Sequence, residues 1–291
     1  MSEKKNQHYI PIVLQNGFLD LSSLKIEKVN PYLWIKEKNL EAYNKSPENI
    51  GFVKHLYTKQ KETLRDYDIE DNFSIIEKKF GKFKSIILKD LEAINLEVLK
   101  DKNIQEWNDL ICEFIWSQFK RTKSFLGFLE TEFEKELFSK FSIDQVKELK
   151  DQNGIKNASL YLMDQLGSRN PQLTAKSILS KKRIIYHIIK NKNASFVLSD
   201  NPSVLLNDGG KLGLLDRKII LFMPISSKVL VSFSDEGGDG FIKVLSDSRR
   251  VRSLNKLSAS NADRYILGRD KALVESLGSY IGSSKNERRV A

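Results

Sequence analysis

Cysteine is almost absent from this chain. There is one, Cys112, which excludes an intramolecular disulfide and any cysteine-rich metal site. It falls within an apolar helical pattern, where a buried, inert thiol is expected. Histidine is nearly as scarce, with His8, His55 and His187 alone, so no Cys/His zinc pattern can be drawn. Long apolar runs are missing too. A membrane-spanning helix needs about 20 consecutive apolar residues, and stretches such as "KIILFMPI" (218–225) are far shorter and read as buried strands. There is no HExxH, no P-loop and no G-x-S-x-G elbow. "GGDG" (237–240) is too short for a nucleotide fingerprint, and Asp235, Glu236 and Asp239 around it read as a solvated acidic loop. The opening "MSEKKNQ" lacks the apolar core of a signal peptide, so the expected compartment is the cytoplasm, with no membrane association.

Acidic side chains are in deficit. Lys and Arg number 48 against 38 Asp and Glu, giving a formal charge of +10 and a pI near 9.4. Such an excess attracts polyanions, and the expected partner is nucleic acid or another polyanion; the competing reading is a lysine-rich surface that serves solubility. Most basic residues are mixed with acids. Two stretches are not: "KSILSKKRIIYHIIKNK" (176–192) and "SDSRRVRSLNK" (246–256) hold ten Lys/Arg against one acid, Asp247. Within the first, Lys181, Lys182 and Arg183 are the expected nucleic-acid contacts.

The remaining chain has the balance of a folded protein, with 40% hydrophobic and 30% charged residues over 291 positions. The first 60 or so residues carry short strand-like runs, "YIPIVL" (9–14) and "YLWIKE" (32–37), with Pro11 making the first an edge strand or an extended lead-in. From position 69 apolar residues recur at helical spacing: Phe73, Ile76, Phe80, Phe83, Ile87, Leu91 and Ile94 predict one long amphipathic helix. Further helices are predicted from Ile104, from Phe125 to Phe141, over 158–166, and from about 172 to 190. The breaks between them are "DQNG" (151–154) and "GSRNPQ" (167–172). Strand patterns follow in "SFVLSDNPSVLLN" (195–207) and "RKIILFMPISSKVLVSF" (217–233), and helices return over 257–270 and 271–281. Segregated helix and strand runs predict an α+β fold: a central helical bundle packed on a small, mainly antiparallel sheet formed by N-terminal and C-terminal strands. The expected organisation is one domain over 1–291, with N-terminal strands and loops (1–60), a helical region (69–190), a sheet region (195–233) and closing helices (255–281). That sheet would bring residue 8 near residue 200.

Three polar positions carry the functional expectations. His8 precedes the first strand, and its imidazole can transfer protons near neutral pH or simply fix the strand start by a hydrogen bond. In "SDNP" (199–202), Asp200 and Asn201 suit a tight turn, and Asp200 could equally orient His8 or bind a metal ion. Arg121 lies three residues after Gln118, on the same helix face, and a guanidinium there can grip phosphate or satisfy a helix end. His187 and His55 read as structural.

Taken together, Gln7 to Pro11, Gln118 with Arg121 and Thr122, Ser199 to Pro202, "FMPISSKVL" (222–230) and "NADRYILG" (261–268) form an ordered set. In this order they resemble a bacterial family, domain of unknown function 4238, over nearly the whole chain. Members usually carry Gln after the opening proline and then an aromatic stretch; Ile12 and "LQNGFL" (14–19) stand here instead. The family supplies no activity. The resemblance implies that His8, Asp200, Asn201 and Arg121 share a polar centre.

Two functions remain open at this point. In the first, the chain is a hydrolase-like or nuclease-like enzyme acting on a phosphate-bearing ligand or nucleic acid. His8 and Asp200 are then catalytic, and Tyr9, Gln118, Arg121 and Asn201 contact the ligand. In the second it is a non-catalytic nucleic-acid-binding or regulatory module, and the same residues are structural. The sequence assigns no cofactor, metal or oligomeric state.

Overall fold

A computed structural model describes residues 6–27, 29–61, 64–95, 97, 104–165, 175–206, 220–234 and 241–284. The expected loops over 167–172 and 235–240, and most of the C-terminal tail, lie outside the described residues.

The chain enters through β1 (Asn6–His8), which pairs antiparallel with β4 (Phe52–Lys54) in a two-stranded sheet, His8 opposite Phe52. The strand stops there. Leu14 N and Gln15 N both donate to Pro11 O, so the expected edge strand over 9–14 is instead one helical turn, α1 (Ile12–Gln15). Proline suits a helix start, because it has no N–H to leave unpaired. Buried Gln15 fixes the turn by donating from Nε2 to Ile10 O at 2.7 Å and Ile50 O at 3.1 Å.

Gly51 makes the same corner possible. Its φ of +75° lies in the left-handed region, and its carbonyl accepts from Tyr9 N and Ile10 N. An added Cβ would stand 3.1 Å from both Gln15 Nε2 and Ile10 Cβ. Gly51→Ala should therefore cost at least about 1–2 kcal/mol, read as a lowered denaturant midpoint.

The next strands are β2 (Leu33–Glu37) and β3 (Tyr43–Lys45), then, past β4, the hairpin β5 (Lys59–Lys61) and β6 (Leu64–Asp66). The long helix follows as α2 (Asp68–Phe83), a π-helical turn (Lys84–Leu88) and α3 (Lys89–Glu92). Its predicted stripe faces inward: Phe73, Phe80, Phe83, Ile87 and Leu91 are buried. Phe80 stacks on Phe114 of α4 (Ile104–Lys120) with ring centroids 3.7 Å apart, which ties the two helices. Then come α5 (Lys123–Phe138), capped by the Thr122 side chain accepting from Phe125 N, and α6 (Ile143–Asp151), with a Ser142/Gln145 capping box. They are followed by α7 (Gly154–Gln165) and α8 (Ala175–Leu179).

The predicted helix over 172–190 is broken here. Residues Arg183–Ile189 are strand β7, which lies between β11 and β12 in a five-stranded sheet ordered β12-β7-β11-β10-β9. Its partners are β9 (Val204–Leu206), β10 (Ile220–Pro224), β11 (Val229–Ser234) and β12 (Phe241–Leu245). A strand paired on both sides and covered on both faces loses its alternation and reads as a continuous apolar run, the pattern that mimics a buried helix segment. The β7–β12 pair is parallel and the other pairs of this sheet are antiparallel.

A second sheet, ordered β3-β2-β13-β8, joins N-terminal and C-terminal strands as expected, through β8 (Leu198–Ser199) and β13 (Tyr265–Gly268). The predicted helix over 257–270 is thus a helix end and a strand. Helix α9 runs from Ser248 to Asn261, capped by the Asp247 side chain on Arg249 N. After β13, α10 (Lys271–Glu275) and a 3-10 turn (Gly278–Tyr280) close the described chain. The fold is α+β. One hydrophobic cluster runs from Tyr9 through the helices to Leu267, and a smaller one packs Val197, Ala259, Ile266, Val274 and Leu277 beneath α9 and α10.

Candidate functional site

The tetrapeptide Ser199–Pro202 is where the chain leaves one sheet for the other, since β8 belongs to the four-stranded sheet and β9 to the five-stranded one. Asp200 holds this crossover. Its Oδ1 accepts from Asp263 N at 2.7 Å and its Oδ2 from Arg264 N at 2.8 Å, while its own N–H donates to Tyr265 O at 3.1 Å. Burial, and secondarily the Asp263 carboxylate, push its pKa up to about 7 against the pull of these backbone bonds. Asn201 contributes its backbone: Asn201 O accepts from Ser199 Oγ at 2.5 Å and from Asn261 Nδ2 at 3.0 Å.

The N-terminal arm does meet this bend, but through Tyr9. Tyr9 Oη and Tyr265 Oη are 2.8 Å apart and both rings are buried. Burial pushes the Tyr9 hydroxyl up to about 12 and Tyr265 well above its ordinary value, so both stay protonated near neutral pH. Lys123 Nζ lies 4.7 Å from the centroid of the Tyr9 ring.

His8 does not pair with Asp200. It stands opposite Phe52 in the β1–β4 register, and the two rings lie 5.3 Å apart. His8 Nε2 is buried without a hydrogen-bond partner, and burial lowers the ring's pKa. The charges acting on it are Arg121 and Glu77. The expected pairing of this imidazole with Asp200 is not made: each Asp200 oxygen accepts from a backbone amide, and His8 Nε2 has no partner.

Arg121 sits on the other side of the arm and is 1% exposed. Its Nη1 donates to Glu77 Oε1 at 2.6 Å, Nη2 donates to His8 O, and the guanidinium lies 4.6 Å from the Phe73 ring centroid. Tyr57 Oη donates to Arg121 O, and Tyr57 N donates to Gln7 Oε1 at 2.6 Å. Gln7 Nε2 reaches Thr58 Oγ1 at 3.0 Å. Gln118 is buried and donates from Nε2 to Ser117 Oγ at 3.2 Å. A guanidinium so enclosed ties the arm to α2 and α4; it offers no open face to a phosphate.

The structure therefore brings the motif residues together as two adjoining locks, Gln7–His8–Arg121 and, through Tyr265, Tyr9–Asp200. Sequence reasoning missed Glu77, and it included Asn261 and Tyr265 in the "NADRYILG" motif without assigning them partners, which only the tertiary fold supplies. Among the described residues no group of three or more His, Cys, Asp or Glu side chains could hold a metal ion. His187, expected to be structural, is buried: Nε2 lies 2.8 Å from Ser232 Oγ, and burial, then Lys243 and Arg250, bring its pKa down to about 4.

The two basic stretches also converge. Because β12 runs parallel to β7, with Lys243 opposite His187, the end of β7 arrives beside the start of α9. Lys190 N donates to Leu245 O at 3.1 Å. This places Lys190 and Lys192 near Arg249, Arg250 and Arg252. Lys181, Lys182 and Arg183 lie at the opposite end of β7. Two further cations brace the 191–194 loop. Lys228 Nζ donates to Asn191 O, Lys192 O and Ala194 O at 2.9, 3.0 and 2.6 Å, and Arg269 Nη2 donates to Lys192 O at 2.8 Å. Burial and Arg269 push Lys228 down to about 8. Between this loop and the first turns of α9 lies a cleft of about 330 Å³, whose walls include Asn191, Asn193, Ser248, Arg249 and Arg252.

These features define an α+β protein whose shared motif residues fasten an N-terminal arm to a helix and to an inter-sheet bend. The chain belongs to the family described as protein of unknown function (DUF4238), whose profile matches residues 6–272. That span includes every motif residue named above. No curated protein and no solved structure matches the chain.

Proposed function

We propose that this protein is a non-catalytic nucleic-acid-binding module of the cytoplasm, in which the motif residues of the arm are structural. The observation that carries this reading is the convergence of Lys190, Lys192, Lys243, Arg249, Arg250 and Arg252 at the β7–β12–α9 junction, from stretches more than 50 residues apart in sequence. A catalytic role for His8 and Asp200 lacks support from this arrangement, since neither orients the other, Asp200 is buried and His8 is half-buried against Phe52. No helix among the described residues is long and apolar enough to cross a membrane, and the free cysteine is buried, which suits a reducing interior.

The cations act chiefly on phosphates, so binding should be salt-dependent through counterion release. With about four phosphates neutralised on a single strand, log Kd against log salt should have a slope near 3. Fluorescence anisotropy with a labelled 12-nucleotide single strand, titrated at several salt concentrations, measures it. Arg249→Glu with Arg250→Glu should abolish most of the binding. A wild-type protein that fails to bind at low salt, or a flat salt response, overturns the reading.

A further inference from the structure

The cleft beside the basic face has a composition that a featureless electrostatic surface would not need. Its floor is apolar, from Ala194, Val251 and Leu273. Its rim is polar and includes the Asp270 carboxylate, whose Oδ1 accepts from Leu273 N at 2.7 Å, while Arg249 and Arg252 stand three residues apart on one face of α9. Neither arginine is neutralised in a buried pair. Arg252 donates from Nη1 to Ser276 Oγ at 3.2 Å, an uncharged partner. Arg249 meets Asp247 Oδ1 at 3.3 Å with its side chain 92% exposed, a surface pair that solvent screens. Across the cleft, Asn191 Oδ1 accepts from Asn193 N at 2.9 Å, which shapes the loop, and both asparagines line the cleft.

The loop is also held rigid. Three of its carbonyls are tied down by Lys228 and one of these also by Arg269, so the wall is preorganised, and its fastenings are themselves positive.

An apolar floor, amide groups at one wall and paired guanidinium groups at the other match the parts of a nucleotide: a planar base, its polar edge and its phosphate. We propose that the cleft holds one unstacked nucleotide of a single-stranded nucleic acid, its base over Val251 and Leu273 and its phosphate at Arg249 and Arg252. This rests on the nucleic-acid reading above and adds the strand preference to it. A paired base cannot leave its stack without cost, so a duplex cannot fill the cleft as a single strand can.

The test uses the full chain with AMP, adenosine and inorganic phosphate by titration calorimetry, and with labelled single-stranded and duplex oligonucleotides by anisotropy. AMP should bind about tenfold more tightly than either fragment, because base and phosphate contacts both count. Arg252→Gln and Asn193→Ala should each weaken AMP and single-strand binding by about fivefold or more. Lys140→Gln, at an exposed lysine paired with Glu136 next to the end of α5, should leave AMP and single-strand binding unchanged. Thermal melts confirm that each variant is folded. If oligonucleotides bind with the expected salt dependence but AMP does not, or both cleft variants bind single strands as the wild type does, the cleft proposal fails and the basic face stands. If no oligonucleotide binds, the proposal falls together with the reading beneath it.

Discussion

Arg121→Ala should lower folding stability by about 3–5 kcal/mol, the range expected when one partner of a buried ionic hydrogen-bond set is removed. The guanidinium is enclosed, donates to Glu77 and to His8 O, and lies against Phe73 and Tyr57. Truncation strands the His8 carbonyl in protein and opens a cavity between two aromatic rings. Glu77 contributes less to the loss, since its side chain is 26% exposed and water can reclaim it. Glu77→Gln keeps an acceptor for Nη1 but leaves the enclosed guanidinium without its counter-charge, and should cost about 3 kcal/mol. Arg121→Lys should recover little, because a single ammonium cannot span two acceptors or stack as a planar cation does. Urea titration at unchanged m-value reads all three. An Arg121→Ala protein as stable as the wild type would show that the arm is held by something else. Limited proteolysis gives a local readout, as the arm should become cleavable before the helices unfold.

What the sequence disclosed about this lock, and what it hid, follows from the reach of each interaction. The stripe from Phe73 to Leu91 was legible because a helix buries one face and its period is local. Gln7, Arg121 and Asp200 were legible through the ordered motifs that resemble the family. Their partners were not. Glu77 is one of many acids on an exposed helix face, and nothing local marks it as the counterion of a residue 44 positions away. Tyr265 was read as part of a helix, so its side chain had no reason to meet Tyr9, 256 positions earlier. The two misread segments share a cause. Arg183–Ile189 and Tyr265–Gly268 are interior strands, buried on both faces, where the period-two signal disappears. Four isoleucines in the first of them were the available clue, since β-branched side chains are stiff at χ1 and favour strands.

Removing the Asp200 carboxylate should be the second large perturbation. Asp200→Ala leaves the amides of Asp263 and Arg264 without their acceptor at the junction of α9 and β13, at a cost of about 2–4 kcal/mol. The pH dependence separates this bonding role from the cost of burying the charge. The folded-state pKa is raised to about 7, above an unfolded value of about 3.9. Between those values the native state binds more protons than the unfolded chain. The slope of unfolding free energy with pH is then negative, so this group's contribution is fully present below about pH 4 and is lost as pH rises through about 7. Asp200→Asn keeps the size and one acceptor but cannot titrate. Against the wild type, its relative stability should improve as pH is raised from 4 to 8, by up to a few kcal/mol, since only the wild type then carries a buried charge. A constant difference between the two proteins across that range would mean that Asp200 is ionised throughout, with the backbone amides outweighing burial. The bend would then be a charged cap that stabilises the crossover across that range.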